Sequence, residues 1–175
     1  MTEILPGLKD SIRDIPDFPK KGILFKDITT LLDQGELFHK VIDEFASYYQ
    51  AKGIQKVVAI ESRGFIFGAT LAYKLKAGFV PVRKKGKLPY KTIAQTYQLE
   101  YGTDTLEMHE DAIAPNEKIL IIDDLLATGG TINATIELVK KLQGKIVGLA
   151  FLIELTFLKG RDRLKDYDVL TLIKY

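Results

Sequence analysis

Residues Lys118–Thr131 read KILIIDDLLATGGT, and this stretch decides the fold. A short apolar run ends at two adjacent aspartates, Asp123 and Asp124, and a turn of small residues follows. The apolar run predicts a buried strand over 118–122, and the residues after the turn predict a helix over about 131–142. Because ligands bind outside the carboxyl ends of the strands in open parallel sheets, the turn is a candidate binding site.

The aspartates and the turn are suited to bind two different groups of one ligand. Carboxylates this close raise each other's pKa unless hydroxyl donors or a hydrated Mg²⁺ compensate. Glycines let backbone amides approach an anion, and the N-terminus of a helix attracts negative charge. We therefore predict a sugar diol beside a phosphate, as in a ribose 5-phosphate. The residues assigned to it are Asp123, Asp124, Ala127, Thr128, Gly129, Gly130 and Thr131. The alternative is a plain strand–helix connection whose aspartates only cap the helix.

Strands and helices alternate along the rest of the chain. The runs KVVAIE and FVPVR read as buried strands, and segments of about a dozen residues between strands read as helices. This alternation predicts an α/β fold with a central parallel sheet flanked by helices. The segments TYQLEYG and TLEMH predict two antiparallel strands around Gly102. With no linker or repeat in 175 residues, we expect a single domain over 1–175.

Composition and charge argue against several functional classes. Hydrophobic residues make up 46% of the chain and charged residues 27%, as in soluble globular proteins. A net charge of +2 argues against binding nucleic acid through bulk charge. The absence of cysteine excludes a disulfide framework, cysteine-ligated zinc and a cysteine nucleophile. No apolar run approaches the roughly 20 residues that span a bilayer, and the first residues do not resemble a signal peptide. We expect a cytoplasmic protein without nucleic-acid or membrane partners.

Two further motifs carry charge that suits an anionic ligand. The segment ESRG places Glu61, Ser62 and Arg63 at the same sheet edge as the aspartates, where amides and a guanidinium suit a second anion. The alternative is an ordinary turn with an exposed arginine. The segment RKKGKLPYKT is basic, and its glycine and proline favour a mobile loop. For this segment the alternative is a solvated surface.

The motifs together identify a family resemblance. The segment ILIIDDLLATGGT resembles the phosphoribosyl pyrophosphate signature of the type I phosphoribosyltransferases. From about Ile15 to the C-terminus, six further segments are similar, in order and spacing, to the members of that family that use adenine. These segments are FPKKGILFKDIT, ESRGFIFG, RKKGKLP, LEYG, LEMHEDAI and LIELTFLKGR.

The resemblance implies a fold and a reaction. The fold is that of the type I phosphoribosyltransferases, with an N-terminal segment and base-binding hood over about 1–35 and a flexible lid loop over about 84–96. The reaction is transfer of 5-phosphoribosyl from phosphoribosyl pyrophosphate to N9 of adenine, which gives AMP and pyrophosphate in purine salvage. Three alternatives stay open: another purine base, a non-catalytic purine-responsive regulator of the same fold, and a generic nucleotide-binding domain.

The resemblance also implies residue roles and partners. Glu100 is the catalytic carboxylate that handles the base proton. The residues that contact adenine are Leu24, Phe25 and Lys26, with Phe25 stacking on the base. Many family members have arginine at Lys26, so contact through its side chain and contact through its backbone both stay open. The residues assigned to pyrophosphate are Glu61, Ser62, Arg63, Arg83, Lys84 and Lys87. The resemblance implies Mg²⁺ bound with the substrate rather than by a protein metal site, and a homodimer.

Overall fold

A computed structural model describes residues 7–98 and 102–175. The chain divides into two compact units, Met1–Glu44 and Phe45–Tyr175. The single domain expected over 1–175 stays a prediction. Helix α2, Gly35–Tyr49, begins in the first unit and ends in the second. No helix in the described ranges has the length and apolar character needed to span a bilayer.

The first unit is built around a small antiparallel hairpin. Strand β1, Arg13–Pro16, pairs with β2, Leu24–Asp27, and the short helix α1, Thr29–Leu32, follows. Arg13 Nε and Nη2 donate to Asp27 Oδ2 at 3.0 and 2.7 Å. The Thr29 N–H donates to Asp27 Oδ1 at 2.9 Å. Hydrogen bonds from Thr29 and Arg13 hold the pKa of Asp27 below its usual value, so a charged carboxylate fixes the turn from β2 into α1.

The second unit contains a seven-stranded sheet in the order β5-β6-β4-β3-β7-β8-β9. The strands are β3 Lys56–Ile60, β4 Gly78–Lys84, β5 Thr92–Gln98, β6 Thr103–His109, β7 Lys118–Leu126, β8 Lys145–Glu154 and β9 Val169–Lys174. The helices that follow β3 and β7 are α3 Gly64–Leu75 and α4 Gly130–Lys141. Single 3₁₀ turns cover Lys9–Ser11, Gln50–Lys52, Thr156–Leu158 and Gly160–Arg163.

The sheet is mostly parallel, as predicted from the sequence, with an antiparallel hairpin at one edge. Strands β4, β3, β7, β8 and β9 run parallel to one another. The hairpin of β5 and β6 adds to the edge of β4 in the antiparallel direction. The two strands of a hairpin run antiparallel to each other, and this pair around Gly102 matches the sequence prediction.

Helices cover both faces of the sheet, because alternate residues of the central strands point to opposite sides. Ile119 and Ile121 pack into the main core cluster with buried residues of α4. On the other face, a Cβ at Gly68 of α3 would lie 2.4 Å from Ala59 Cβ and 3.3 Å from the side chain of Ile122. Only glycine permits this contact, and it brings the start of α3 close to the end of β7.

Candidate active site

The carboxyl ends of β3, β4 and β7 meet around one cavity of about 370 Å³. Each of these three strands ends in a segment that the sequence analysis assigned to ligand binding. The lining residues are Ile60, Glu61, Ser62, Arg63, Lys84, Tyr97, Asp104, Leu106, Asp123, Asp124, Leu125, Ala127 and Thr131. The topology therefore brings the predicted diol residues and part of the predicted pyrophosphate set to one place.

The two aspartates lie inside β7 and not beyond its end. The predicted strand over 118–122 is too short, because pairing with β8 continues from Asp123↔Phe151 to Leu126↔Glu154. Pairing with β3, in contrast, stops at Ala59↔Ile122. After Ile122 the strand has a strand neighbour on one side only, so the cavity opens on the other side and both carboxylates line it.

Burial makes the aspartate pair electrostatically unusual. Asp124 is 5% exposed, and Asp123 Oδ1 accepts a hydrogen bond from the Asp124 N–H at 2.9 Å. Burial raises the pKa of both carboxyls, and the charge of Asp124 raises that of Asp123 further. Arg63 Nε lies 2.9 Å from Asp124 Oδ2 and opposes the rise at Asp124. A Cβ at Gly64 would lie 2.6 Å from Asp123 Oδ1, so glycine is what admits this carboxylate beside α3.

One carboxylate oxygen of the pair remains open to a donor. Oδ2 of Asp124 is buried and accepts no hydrogen bond from the described part of the chain, so Arg63 acts on it through charge and not as an aligned donor. The charge of Arg63 offsets part of the cost of burying this oxygen, and an aligned donor would lower that cost further. A ligand hydroxyl in the cavity would supply such a donor, which agrees with the predicted diol contact.

The turn after β7 forms a small cradle at the start of α4. A separate cavity of about 70 Å³ is lined by Asp123, Leu125, Leu126, Ala127, Thr128, Gly129, Gly130, Thr131 and Ile132. Gly129 has a φ of +83°, a left-handed conformation that favours glycine, and α4 begins at Gly130, one residue before the predicted start. Successive amides at the N-terminus of a helix suit an anion, so this cradle fits the predicted phosphate contact.

Glu61 holds cationic groups and does not point its charge at an anion. Its carboxylate accepts from Arg83 Nε at 2.7 Å and from the Lys84 N–H at 2.9 Å. Burial raises the pKa of Glu61, but hydrogen bonds from Lys84 and Arg83 outweigh it and leave that pKa below its usual value. The sequence assigned this segment to pyrophosphate through its backbone amides, and that assignment stays a prediction, while the side chain of Glu61 holds Arg83.

The basic residues of the predicted lid divide into two groups. Lys84 lines the cavity, and its Nζ lies 3.1 Å from Asp104 Oδ2. Arg83 and Lys87 are not among the described lining residues, but Arg83 Nη1 donates to the Lys87 carbonyl at 2.9 Å. Residues 92–96 of the predicted 84–96 loop lie in β5, because they pair with β6. The mobility of the remainder stays a prediction.

Sequence reasoning missed two polar residues of the cavity, Tyr97 and Asp104. Both come from the β5–β6 hairpin. A signal for Asp104 existed, because residues 104, 106 and 108 of a strand share one face and Leu106 and Met108 are buried. An aspartate on an inward-facing row of a strand is a candidate functional residue. Glu100, the predicted catalytic carboxylate, lies outside the described residues.

The predicted adenine contacts all lie in β2 of the first unit. Leu24 is 49% exposed, and Phe25 is half-buried with its ring edge-to-face on Phe18 at 5.1 Å between centroids. Lys26 has a nearly buried side chain whose Nζ donates to Asp14 Oδ1 at 2.6 Å. The Lys26 side chain is thus engaged by Asp14, and contact of a ligand with the side chain or with the backbone of Lys26 stays a prediction.

Comparison with known proteins places this site in a family. A sequence profile of the phosphoribosyl transferase domain matches residues 27–174. A protein named adenine phosphoribosyltransferase from Acidobacterium capsulatum is 60% identical over 168 residues, covering 96% of this chain and 93% of that protein. This chain belongs to the adenine phosphoribosyltransferase family. The family resemblance and the fold predicted from the sequence are therefore confirmed.

Solved structures of the family share the fold closely. The crystal structure of the adenine phosphoribosyltransferase from Rhodothermus marinus is 58% identical, with a TM-score of 0.92 and 96% of each chain covered. The enzyme from Saccharomyces cerevisiae, solved with an imino-altritol bisphosphate and adenine, is 43% identical with a TM-score of 0.90. That comparison covers 94% of this chain and 96% of the other. The yeast protein was thus solved with a base and a bisphosphate bound together.

Proposed function

We propose that this chain is an adenine phosphoribosyltransferase, which transfers the 5-phosphoribosyl group of phosphoribosyl pyrophosphate to N9 of adenine. The products are AMP and pyrophosphate. The proposal rests on the position of two side chains: Asp123 and the buried Asp124 line the cavity beside the amide cradle at the start of α4. Relatives about 60% identical over nearly the whole chain, named for this activity, support the choice of substrates.

The sugar is held at its two polar ends. The ribose hydroxyls donate to the carboxylates of Asp123 and Asp124, and the 5-phosphate accepts from the amides of residues 127–131. Both contacts leave the anomeric carbon facing the rest of the cavity. As the bond from that carbon to the pyrophosphate oxygen breaks, positive charge builds on the ribose. The nearby carboxylates favour this charge electrostatically.

The leaving group meets the cationic side of the cavity. Lys84 lines it, Arg63 lies beside Asp124, and Glu61 fixes Arg83 at the end of β4. Mg²⁺ bound with the substrate would neutralise part of the pyrophosphate charge. A closed lid over residues 84–91 would keep water from the activated sugar.

The base is oriented by the hood and attacks through N9. In this proposal Phe25 stacks on adenine, Leu24 and the backbone of Lys26 contact its edge, and Glu100 accepts the proton that the base loses. The new bond joins N9 to the anomeric carbon on the side opposite pyrophosphate. Orientation of the two reactants supplies much of the acceleration, since it converts a bimolecular step into one within a complex.

The test is release of pyrophosphate from phosphoribosyl pyrophosphate in the presence of single bases. We expect release that depends on adenine, while hypoxanthine, guanine and xanthine give far lower rates. A higher rate with another base would support the alternative purine specificity. Binding of phosphoribosyl pyrophosphate without release in the presence of any base would support the regulator and contradict a transferase.

We also propose a homodimer in the cytoplasm. Family resemblance supports the dimer, and light scattering checks it, with an expected mass of twice the 19.7 kDa chain. A monomer at assay concentrations would contradict it. The cytoplasmic location fits the substrate, because a sugar with several phosphate charges does not cross membranes unaided and is used where it is made.

A further inference from the structure

The cradle at the start of α4 touches a second backbone segment that the mechanism above does not use. A Cβ at Gly160 would lie 2.1 Å from the Ala127 carbonyl oxygen and 3.1 Å from the Gly129 nitrogen. In return, a Cβ at Gly129 would lie 3.0 Å from the Gly160 carbonyl oxygen. The two backbones are therefore in direct contact with no room for a side chain. Any shift of Gly160 is transmitted to the first residues of the cradle.

Arg161 fixes Gly160 in place. Its Nε and Nη2 donate to the two carboxylate oxygens of Glu154 at 2.8 and 2.5 Å. Its Nη2 also donates to Thr171 Oγ1 at 3.0 Å, and its Nη1 donates to the Val169 carbonyl at 3.2 Å. Glu154 is 4% exposed, and it accepts a further hydrogen bond from Thr171 Oγ1 at 3.0 Å. The guanidinium is thus held in a single orientation by the ends of β8 and β9.

The same frame is attached to the strand that leads into the cradle. Leu126, the last residue of β7, pairs with Glu154 in the sheet register. The Leu155 N–H donates to the Leu126 carbonyl at 2.9 Å. The turn of residues 127–129 is therefore anchored at its entry through β8, and Gly160 contacts it within the turn. Glu154 takes part in both contacts, because it pairs with Leu126 in the sheet and accepts hydrogen bonds from Arg161.

We propose that Arg161 is a positioning residue of the sugar-phosphate site: its ion pair with Glu154 holds the Gly160 backbone against Ala127 and so sets the direction of the cradle amides. This inference rests on the proposed function, because it takes the cradle to bind the 5-phosphate. A buried ion pair is weak support for stability by itself, since apolar residues of similar volume often replace one without loss. The planar, forked donor geometry of arginine, which lysine lacks, suits the task of fixing an adjacent backbone.

The test compares three variants with the wild type: Arg161→Lys, Gly160→Ala and, as a control, Gly148→Ala. In the control, the new Cβ would lie 2.6 Å from the ring of Tyr49, near the start of β8, so it strains a buried contact that does not belong to the cradle. The measurements are the Kd for ribose 5-phosphate and for pyrophosphate by calorimetry, the KM values for both substrates, and Tm.

We expect Arg161→Lys and Gly160→Ala to raise the Kd for ribose 5-phosphate and the KM for phosphoribosyl pyrophosphate about tenfold or more. The KM for adenine and the Kd for pyrophosphate should change less than about twofold. Gly148→Ala should lower Tm and leave the Kd for ribose 5-phosphate unchanged. If Gly160→Ala or Arg161→Lys does not fold, Thr171→Val removes two hydrogen bonds of the frame, those to Arg161 and Glu154, at nearly constant volume, and a raised Kd for ribose 5-phosphate is again expected.

Two outcomes separate this inference from the proposed function. If the wild type binds ribose 5-phosphate and the frame variants bind it equally well, or weaken only in step with Tm as the control does, the inference is wrong and the function stands. If the wild type itself does not bind ribose 5-phosphate, the assignment of the cradle is wrong and the proposed function is contradicted.

Discussion

At the scale of single residues, the aspartate pair serves ligand binding and lowers the stability of the free protein. Asp124 is buried and Asp123 lies beside it at the cavity, and loss of solvent around the two carboxyls raises the pKa of both. The folded chain therefore holds protons on this pair more tightly than the unfolded chain does. The stability that goes with those protons is present at low pH and is lost as the pH rises through the raised pKa. At neutral pH the pair destabilises the free protein and is useful only when a ligand supplies hydrogen-bond donors.

We therefore expect Asp123→Asn to stabilise the fold while it disables the site. Asparagine keeps the oxygen that accepts from the Asp124 N–H and removes the like charge. We expect a higher Tm than the wild type at pH 8, a difference that shrinks toward pH 4, and a kcat lowered by at least about 10²-fold. Asp166→Asn, at an exposed carboxylate, is the control and should change neither. A Tm at pH 8 below that of the wild type would refute the electrostatic argument.

Asp104 gives a second prediction at this scale. Its carboxylate neutralises Lys84 within the cavity that is proposed to receive pyrophosphate. Asp104→Asn removes a negative charge there, so pyrophosphate should inhibit the variant about threefold or more strongly than the wild type. Lys84→Met should have the opposite effect. Inhibition constants at fixed ionic strength check both, and weaker inhibition of Asp104→Asn would show that Asp104 instead holds Lys84 in its productive position.

At the scale of elements, close packing places α3 on β3. The absent side chain of Gly68 lets the helix lie against Ala59, and Gly64 lets its first turn lie against Asp123. We predict that Gly68→Ala lowers the free energy of unfolding by about 1–3 kcal/mol through overpacking. The matched control is Gly35→Ala at the start of α2, where a Cβ meets no atom within 4 Å and the better helix propensity of alanine should stabilise slightly. Equal effects of the two substitutions in denaturant titrations would be evidence against this packing argument.

The elements also show what the sequence reveals and what it hides. The strand after Gly53, the hairpin around Gly102 and the helix after the DD segment follow from periodicity and glycine placement. The extension of β7 through both aspartates does not, because it depends on pairing with β8, which local sequence does not encode. For the same reason the frame of Glu154 and Arg161 escaped notice, since its hydrogen bonds join a strand end, a 3₁₀ turn and the next strand.

At the scale of the whole molecule, a nearly neutral chain concentrates opposite charges at one sheet edge. The net charge is only +2, yet Arg63, Lys84, Asp104 and the aspartate pair all lie around one cavity. The family motifs in the sequence predicted this concentration of charged side chains, because those motifs follow the ends of the strands. The roles of Glu100 and the hood remain predictions. Both are contacts with the base, and only a structure with the base bound would show them.

Ligand binding should therefore stabilise the whole fold in a pH-dependent way. A ligand that binds only the folded chain raises its stability, by about 2.7 kcal/mol at 100 times Kd. Ribose hydroxyls need deprotonated aspartates, so the rise in Tm with ribose 5-phosphate should be larger at pH 8 than at pH 5. Inorganic phosphate titrates over the same pH range but has no diol. The rise in Tm that it causes at each pH is therefore subtracted from the rise caused by ribose 5-phosphate. After that correction, a rise in Tm independent of pH would argue against contact between the diol and the carboxylates.

The most direct measurement is a crystal structure of this protein with ribose 5-phosphate bound. We expect the two ring hydroxyls within hydrogen-bond distance of Asp123 and Asp124, and the phosphate oxygens on the amides of residues 127–131. A sugar phosphate seated elsewhere, with the carboxylates and the cradle facing only water, would contradict it.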